Sequence, residues 1–484
     1  MARTVTSRLR VRGAVAVVGL LAALTGCATP SLTPVPGTDE PATTRIPVIV
    51  DTDLDLSDVA ALAVLLRDPR IDVRAIAIDG TGLVHCQAGR RLTRYVLDQL
   101  GTPDIPFGCG RQEAGPDGHP FPAGWRAVAD ADYGLDIPSQ AEAGVAQDAV
   151  TLIKAAVAGS ESSPTIVSLG PLTNLEDAFA ADSALADHVA GIQAMLGSVA
   201  APGNVLVDSH TTADQLEWNA YADPSAVAAV FDTDVPIALV PLDATDDVPV
   251  PAGLLDRLAD VPAAGADLVH ELLVRNPSRL AGDEGQQLWD ELAALTVTNP
   301  DLADWAEATV LVGADGRFTQ DDAGRPIRYA NGADRVAVEA ALIEALSRGD
   351  PRPTPFQLAG QLSVTFDGTR CTLTGHSDRD GPHRLTFKTA TQRRAGVAIV
   401  GTTPPHTWDE LLAAFPDANS RAKPPDWLVA GPIAEDAEGG GNMLTVTGNL
   451  KEGFYGPLCY LGTWPDVVLT PGTPFEVGSG AIGQ

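Results

Sequence analysis

Four aspartates crowd into eight residues at Asp51-Thr52-Asp53-Leu54-Asp55-Leu56-Ser57-Asp58, directly after the apolar run Ile46 to Val50. Asp53 and Asp58 stand five positions apart, enough for one turn to fold the second carboxylate back beside the first. Carboxylates so close, with little basic compensation, repel one another severely unless a hard cation joins them. Two other readings compete. An EF-hand loop needs Gly at its sixth position and Glu at its twelfth, where this chain has Leu56 and Leu62. Helix capping would have Ser57 cap the helix that follows and Asp58 oppose its dipole.

Three further segments carry polar residues at predicted strand ends or helix starts. They are Ser168-Leu169-Gly170-Pro171-Leu172-Thr173-Asn174, then Gly203-Asn204 with Glu217-Trp218-Asn219-Ala220-Tyr221-Ala222-Asp223-Pro224, and finally Trp289-Asp290 in QLWDELAAL. With the aspartate run they resemble, in the same order, motifs of the inosine-uridine-preferring nucleoside hydrolases: DTDPGxDD, LGPLTN, the GN and EFNxxxDP pair, and a His-Asp before a buried helix. The resemblance implies Ca²⁺ held by the carboxylates of Asp53, Asp58 and Asp290 and by the carbonyl of Leu169, an all-oxygen set suited to a hard divalent ion. It implies water made acidic by the ion, with Asp53 as general base. It also implies attack at the anomeric carbon of a ribosyl group, with Asn204, Glu217 and Asn219 on the ribose hydroxyls. Asn204 and Asn219 could equally satisfy backbone groups in turns.

The departures from that pattern fall in the sugar and base sites. Ser57 replaces a carboxylate that grips a ribose hydroxyl, and can accept a hydrogen bond only without charge. Asp55 replaces a usual glycine and Leu54 a usual proline, so the loop is expected to take a different shape. After the second strand an expected asparagine is missing, and Asp79 or Thr81 stands nearby. Trp289 replaces a histidine that meets the leaving base, where an indole can stack but not readily donate a proton. The resemblance therefore implies a calcium-dependent hydrolase of a nucleoside or related N-riboside. The alternative is a catalytically weak lipoprotein that binds a ribosylated ligand on the same scaffold.

The elements that must position these residues follow from the apolar pattern. From Ile46 onward, β-branched runs (IPVIV, VRAIAI, TIVSLG, GIQAML, VPIALVPL) alternate with helix-length segments such as DVAALAVLLRD. Uninterrupted apolar runs spaced by helices predict parallel strands buried on both faces, hence a doubly wound, mostly parallel α/β sheet over residues 46–349. Ligands in such sheets sit at the carboxyl ends of strands, where the motif residues lie. The proline-rich segment GDPRPTPF ends this domain, and residues 350–484 change to short strands (LSVTF, RLTFKT, GVAIVG, LTVTG, FEVG) between Gly, Pro and Asp turns, the pattern of an all-β sandwich. It faintly resembles a cupredoxin, but GVAIVG offers no histidine for copper.

The N-terminus predicts export. Arg3, Arg8, Arg10 and Arg12 precede the apolar run Ala14 to Leu24, too short to span a bilayer comfortably. Leu24-Thr25-Gly26-Cys27 resembles a lipobox, implying a signal peptide over residues 1–26, lipidation of Cys27 and a lipid-anchored protein on the outer face of the cell membrane; a plain secretory signal is the alternative. Residues 27–45, rich in Pro and Thr, should act as a disordered tether. In an oxidising compartment the other four cysteines are expected to pair, Cys86 with Cys109 and Cys371 with Cys459. Lys plus Arg number 32 against 63 acids, a net charge of −31 that would repel nucleic acid. Hydrophobic content of 45% fits a folded globular chain, and the sequence does not set its oligomeric state.

Overall fold

The computed structural model describes residues 45–137, 147–205, 215–251, 253–276, 286–403, 405–414, 425–436, 443–463 and 466–482. The predicted signal segment, the lipidation site Cys27 and the tether as far as residue 44 lie outside the described residues. Ten strands form the larger sheet: β1 (Ile46–Thr52), β2 (Ile71–Ile78), β3 (Phe107–Cys109), β4 (Gln147–Asp148), β5 (Thr165–Ser168), β6 (Gly191–Ala194), β7 (Ile237–Leu239), β8 (Ala303–Val312), β9 (Phe318–Gln320) and β10 (Arg325–Ala333). Their spatial order is β4-β3-β2-β1-β5-β6-β7-β10-β8-β9. Every pair from β4 across to β10 is parallel, and only β10–β8 and β8–β9 are antiparallel.

The unbroken apolar character of β1 has a direct cause. Successive side chains point to opposite faces, and both faces are covered. Val48 and Val50 enter one hydrophobic core, while Ile49 enters the other. The helices Leu56–Arg67, Cys86–Gln99 and Trp289–Thr296 belong to the first core; Ala149–Ala158, Thr173–Ala181 and Pro224–Phe231 belong to the second.

Strand order reverses at β1. The chain steps outward through β2, β3 and β4, returns to β5 on the other side of β1, and then steps the opposite way through β6 and β7. Connections leaving β1 and β5 therefore diverge to opposite faces and leave a crevice at the carboxyl ends of those two strands. The aspartate run follows β1, and Leu169 follows β5.

After the helix Arg335–Leu346 the chain builds two smaller sheets. Their strands are β11 (Gly360–Phe366), β12 (Cys371–Ser377), β13 (Gly381–Thr389), β14 (Ala395–Thr402), β15 (Leu428–Asp436), β16 (Met443–Leu450), β17 (Phe454–Leu461), β18 (Val468–Pro471), β19 (Phe475–Glu476) and β20 (Gly480–Ile482). One sheet has the order β16-β13-β11-β12-β20, and the other β15-β14-β17-β18 with β19 on β17. Pairing is antiparallel except for β11 with β13. Here the pattern has period two, as expected for sheets with one wet face: in β11, Leu362, Val364 and Phe366 are buried while Gln361, Ser363 and Thr365 are exposed.

Both expected disulfides are present. Cys371 on β12 joins Cys459 on β17, tying the two sheets together, and Cys86 at a helix start joins Cys109 at the end of β3. Thr44–Gln484 behaves as one compact unit. Across its two layers Thr447 donates to the carbonyl of Val274 at 2.7 Å, and Arg384 pairs with Asp256 at 3.1 Å.

Candidate active site

All nine residues singled out in the sequence for metal or substrate line one cavity of about 360 Å³: Asp53, Ser57, Asp58, Leu169, Asn204, Glu217, Asn219, Trp289 and Asp290. That volume lies in the ordinary range for a small-molecule site. They come from four separate chain segments, brought together because β1, β5 and β6 end side by side and the helix Trp289–Thr296 packs against Leu56–Arg67.

The floor of the cavity is acidic. Ligand oxygens of Asp55, Asp58 and Asp290 lie within 4.8 Å of one another. Asp58 is fully buried; its Oδ1 accepts from the hydroxyl of Thr52, and its Oδ2 has no hydrogen-bond partner among the described residues. Asp290 is 4% exposed, and its Oδ1 is likewise unpartnered. Ser57 Oγ lies 2.6 Å from Asp290 Oδ2 and 2.9 Å from Asp55 Oδ2. One hydroxyl carries one proton, so it can donate to only one of these carboxylates at a time.

Asp53 sits beside this group and is held differently. The backbone N–H of Leu83 donates to its Oδ2 at 2.9 Å. Two glycines wall it in: a Cβ placed on Gly82 would lie 2.2 Å from the Asp53 carboxyl, and one on Gly170 would lie 2.9 Å from its Cβ. Burial, and then the charge of Asp55, push the Asp53 carboxyl up to about 8. Asp58 is pushed well above the usual carboxylate range by burial and then by Asp290; Asp290 is raised by burial, against the opposing hydrogen bond from Ser57. The cluster strongly resists full ionisation by itself. Unpartnered buried oxygens, mutual repulsion and an all-oxygen donor set together fit a hard divalent cation such as Ca²⁺.

A second acidic layer lies beneath. Asp51 accepts from Asn174 Nδ2 at 2.8 Å, and Asp79 accepts from the backbone and hydroxyl of Thr81 at 2.9 and 2.6 Å. Neither Asp79 nor Thr81 borders the cavity. Burial, opposed by Thr81, leaves Asp79 raised to about 6.

Opposite the acids the wall is organised by backbone. Glu217, 2% exposed, starts the helix Trp218–Ala222, and its carboxylate accepts from the N–H groups of Gly197, Asn219 and Ala220 at 2.9, 2.9 and 3.1 Å. Burial still raises its pKa. Asn219 Nδ2 donates to the carbonyls of Leu169 and Met195, each at 3.0 Å, which fixes the orientation of the Leu169 carbonyl. Asn204 Oδ1 accepts from Trp218 N at 3.1 Å. The backbone-satisfying role open to both asparagines is thus realised, while all three side chains still border the cavity.

Sequence reasoning did not assign four features of the site. Asp55 joins the acidic cluster. Phe121 and Trp125 form an aromatic wall with Trp218: Phe121 stacks on it at 5.1 Å between centroids, and Trp125 meets it edge-on at 5.4 Å. Tyr133 donates its hydroxyl to the carbonyl of Leu54 at 2.8 Å. Asp55 was visible in the aspartate run; Phe121, Trp125 and Tyr133 sit in a long β3–β4 connection with no periodic signal to mark them.

The sequence profile of the inosine-uridine preferring nucleoside hydrolases matches residues 48–344. The chain is 26% identical over 291 residues to a pyrimidine-specific ribonucleoside hydrolase, RihA, of Klebsiella pneumoniae, covering 57% of this chain and 86% of that relative. Its fold is similar to the crystal structure of an inosine-uridine preferring nucleoside hydrolase from Bacillus anthracis, with TM-score 0.53, 22% identity and 62% of this chain and 99% of the other covered. It is also similar to an inosine-guanosine nucleoside hydrolase, with TM-score 0.54, 21% identity, and 63% and 100% covered.

Proposed function

Because the chain belongs to the inosine-uridine preferring nucleoside hydrolase family, and is on that ground an N-ribosyl hydrolase, we propose that it cleaves the N-glycosidic bond of a nucleoside with the help of Ca²⁺ held by Asp53, Asp58, Asp290 and the carbonyl of Leu169. The observation that carries this reading is the pair of buried carboxylate oxygens, Asp58 Oδ2 and Asp290 Oδ1, that have no hydrogen-bond partner among the described residues and belong to residues lining the cavity. When bound, the ion would orient a water and make it more acidic. Asp53, whose carboxylate the same cation would hold ionised, is placed to take a proton from the attacking water. Its orientation is set by the Leu83 N–H and by the two glycines that flank it.

As the glycosidic bond breaks, positive charge develops at the anomeric carbon, and the acidic floor favours that charge electrostatically. Asn204, Glu217 and Asn219 would hold the ribose hydroxyls. Trp289, with Phe121, Trp125 and Trp218, offers the flat apolar surface that a nucleobase stacks on. Ser57 is fully buried, with its hydroxyl between Asp55 and Asp290, so its support for the substrate is exerted through those carboxylates. We propose further that the chain is exported and anchored through Cys27.

The test is turnover by the full chain with Ca²⁺ on uridine, cytidine, inosine and adenosine, with Asp53→Asn beside it. Release of ribose from at least one nucleoside, abolished in Asp53→Asn, is expected. Tight nucleoside binding with no release of base from any of the four would overturn the hydrolase reading in favour of a binding protein.

A further inference from the structure

Leu54 adopts a left-handed backbone, with φ of 58°. For a residue with a Cβ this costs on the order of 1–2 kcal/mol, and for proline, with φ locked near −65°, it is closed altogether. The loop therefore cannot have the shape of one with proline at this position. What the unusual turn does is visible in its neighbour. It directs Asp55 to the same side as Asp58 and Asp290, where the three carboxylates come within 4.8 Å of one another. Two features keep it there. Tyr133 donates its hydroxyl to the Leu54 carbonyl at 2.8 Å, and Ser57 Oγ lies 2.9 Å from Asp55 Oδ2. Position 57, which faces Asp55 and Asp290, carries a hydroxyl rather than another charge, and this leaves room for a third carboxylate in the cluster.

We infer that Asp55 is a cation ligand of this site, its carboxylate brought in by the left-handed turn at Leu54 and steadied by the neutral Ser57 hydroxyl. The inference rests on the metal-dependent reading above and extends it to a residue outside the ligand set assigned there. An acidic cluster alone would not carry it. The second observation is that two nine-tenths-buried oxygens of the same cluster, Asp58 Oδ2 and Asp290 Oδ1, lack any hydrogen-bond partner among the described residues, so that a cation bound by them falls within reach of Asp55. A carboxylate at 57 as well would bring a fourth charge against three carboxylates whose oxygens already lie within 4.8 Å of one another.

Titration calorimetry of the full, chelator-stripped chain with CaCl₂, for wild type, Asp55→Asn and Ser57→Ala, tests this. Asp55→Asn, isosteric and only partly buried, should weaken Ca²⁺ binding on the order of 100-fold. Tb³⁺ luminescence lifetimes in H₂O and D₂O give a readout that a merely structural role would not move: Asp55→Asn should show an added coordinated water, while Ser57→Ala should not. Wild-type Ca²⁺ affinity and wild-type Tb³⁺ hydration in Asp55→Asn would overturn the assignment while leaving the hydrolase reading intact. Conversely, loss of Ca²⁺ binding in Asp55→Asn, with no nucleoside cleaved by the wild type, would support the ligand and sink the hydrolase. A wild-type chain that binds no Ca²⁺ would overturn both.

Discussion

Gly82→Ala is the sharpest perturbation available to the site, because it adds one carbon and removes nothing. That carbon would stand 2.2 Å from both Cβ and Oδ2 of Asp53, where ordinary contact begins at 3.4 Å. The aspartate must therefore move by about 1.2 Å, the difference between those two distances. A retreat would stretch the hydrogen bond that the Leu83 N–H donates to its Oδ2 at 2.9 Å. A misplacement of about 1 Å in a catalytic group costs on the order of 100-fold in rate, and overpacking costs roughly 1–3 kcal/mol of stability besides. The assay is kcat/KM for the best nucleoside at saturating Ca²⁺, with melting temperature measured in parallel. Gly124→Ala serves as the control, because a Cβ there meets nothing within 4 Å and a helical alanine is if anything stabilising. Gly82→Ala with undiminished kcat/KM would refute the placement of Asp53 as the proton acceptor and, with it, the idea that the two glycines exist to orient it.

Two further outcomes are expected. His270, 7% exposed and with no partner for Nε2 among the described residues, is held down to about 4 by burial and then by Arg384. Because its folded pKa is depressed below the ordinary 6.5, its contribution is complete above pH 6.5 and fades as pH falls towards 4, where the unfolded chain binds the extra proton. The loss amounts to roughly 3 kcal/mol, and urea melts of wild type and His270→Leu at pH 7 and pH 4.5 should show the wild type losing the more stability; equal losses would count against a buried neutral imidazole. Separately, the expressed precursor should fractionate with membranes and be released by Cys27→Ser, and an unacylated N-terminal peptide recovered from soluble wild type would rule the anchor out.

What could be read in the sequence depended on how local its cause was. The strands β1, β2, β5, β6 and β7 were legible because burial on both faces forces a run of apolar residues with no alternation, and the helix Leu56–Arg67 because its length excluded a strand. The gathering of Asp53, Asp58, Leu169 and Asp290 was legible from motif order and from the rule that parallel strands present their carboxyl ends together. The antiparallel edge, β8 with β9 and β10, was not, since partly exposed strands there carry mixed patterns such as ADWAEATVLV. Nor was the role of Asp55. A side chain on a loop goes where the backbone turns, and the turn here hangs on one dihedral at Leu54 and on a hydroxyl from Tyr133, seventy-nine positions along the chain. The residue type at 54 says nothing of this, because leucine disfavours the left-handed region it occupies. Tertiary contacts hold it there, as they hold strained backbone at functional sites generally. The substitutions at 54, 55 and 57 read separately as three losses from a known motif. In three dimensions they form one rearrangement, in which a left-handed residue, a relocated carboxylate and a neutral hydroxyl each make sense only with the other two present.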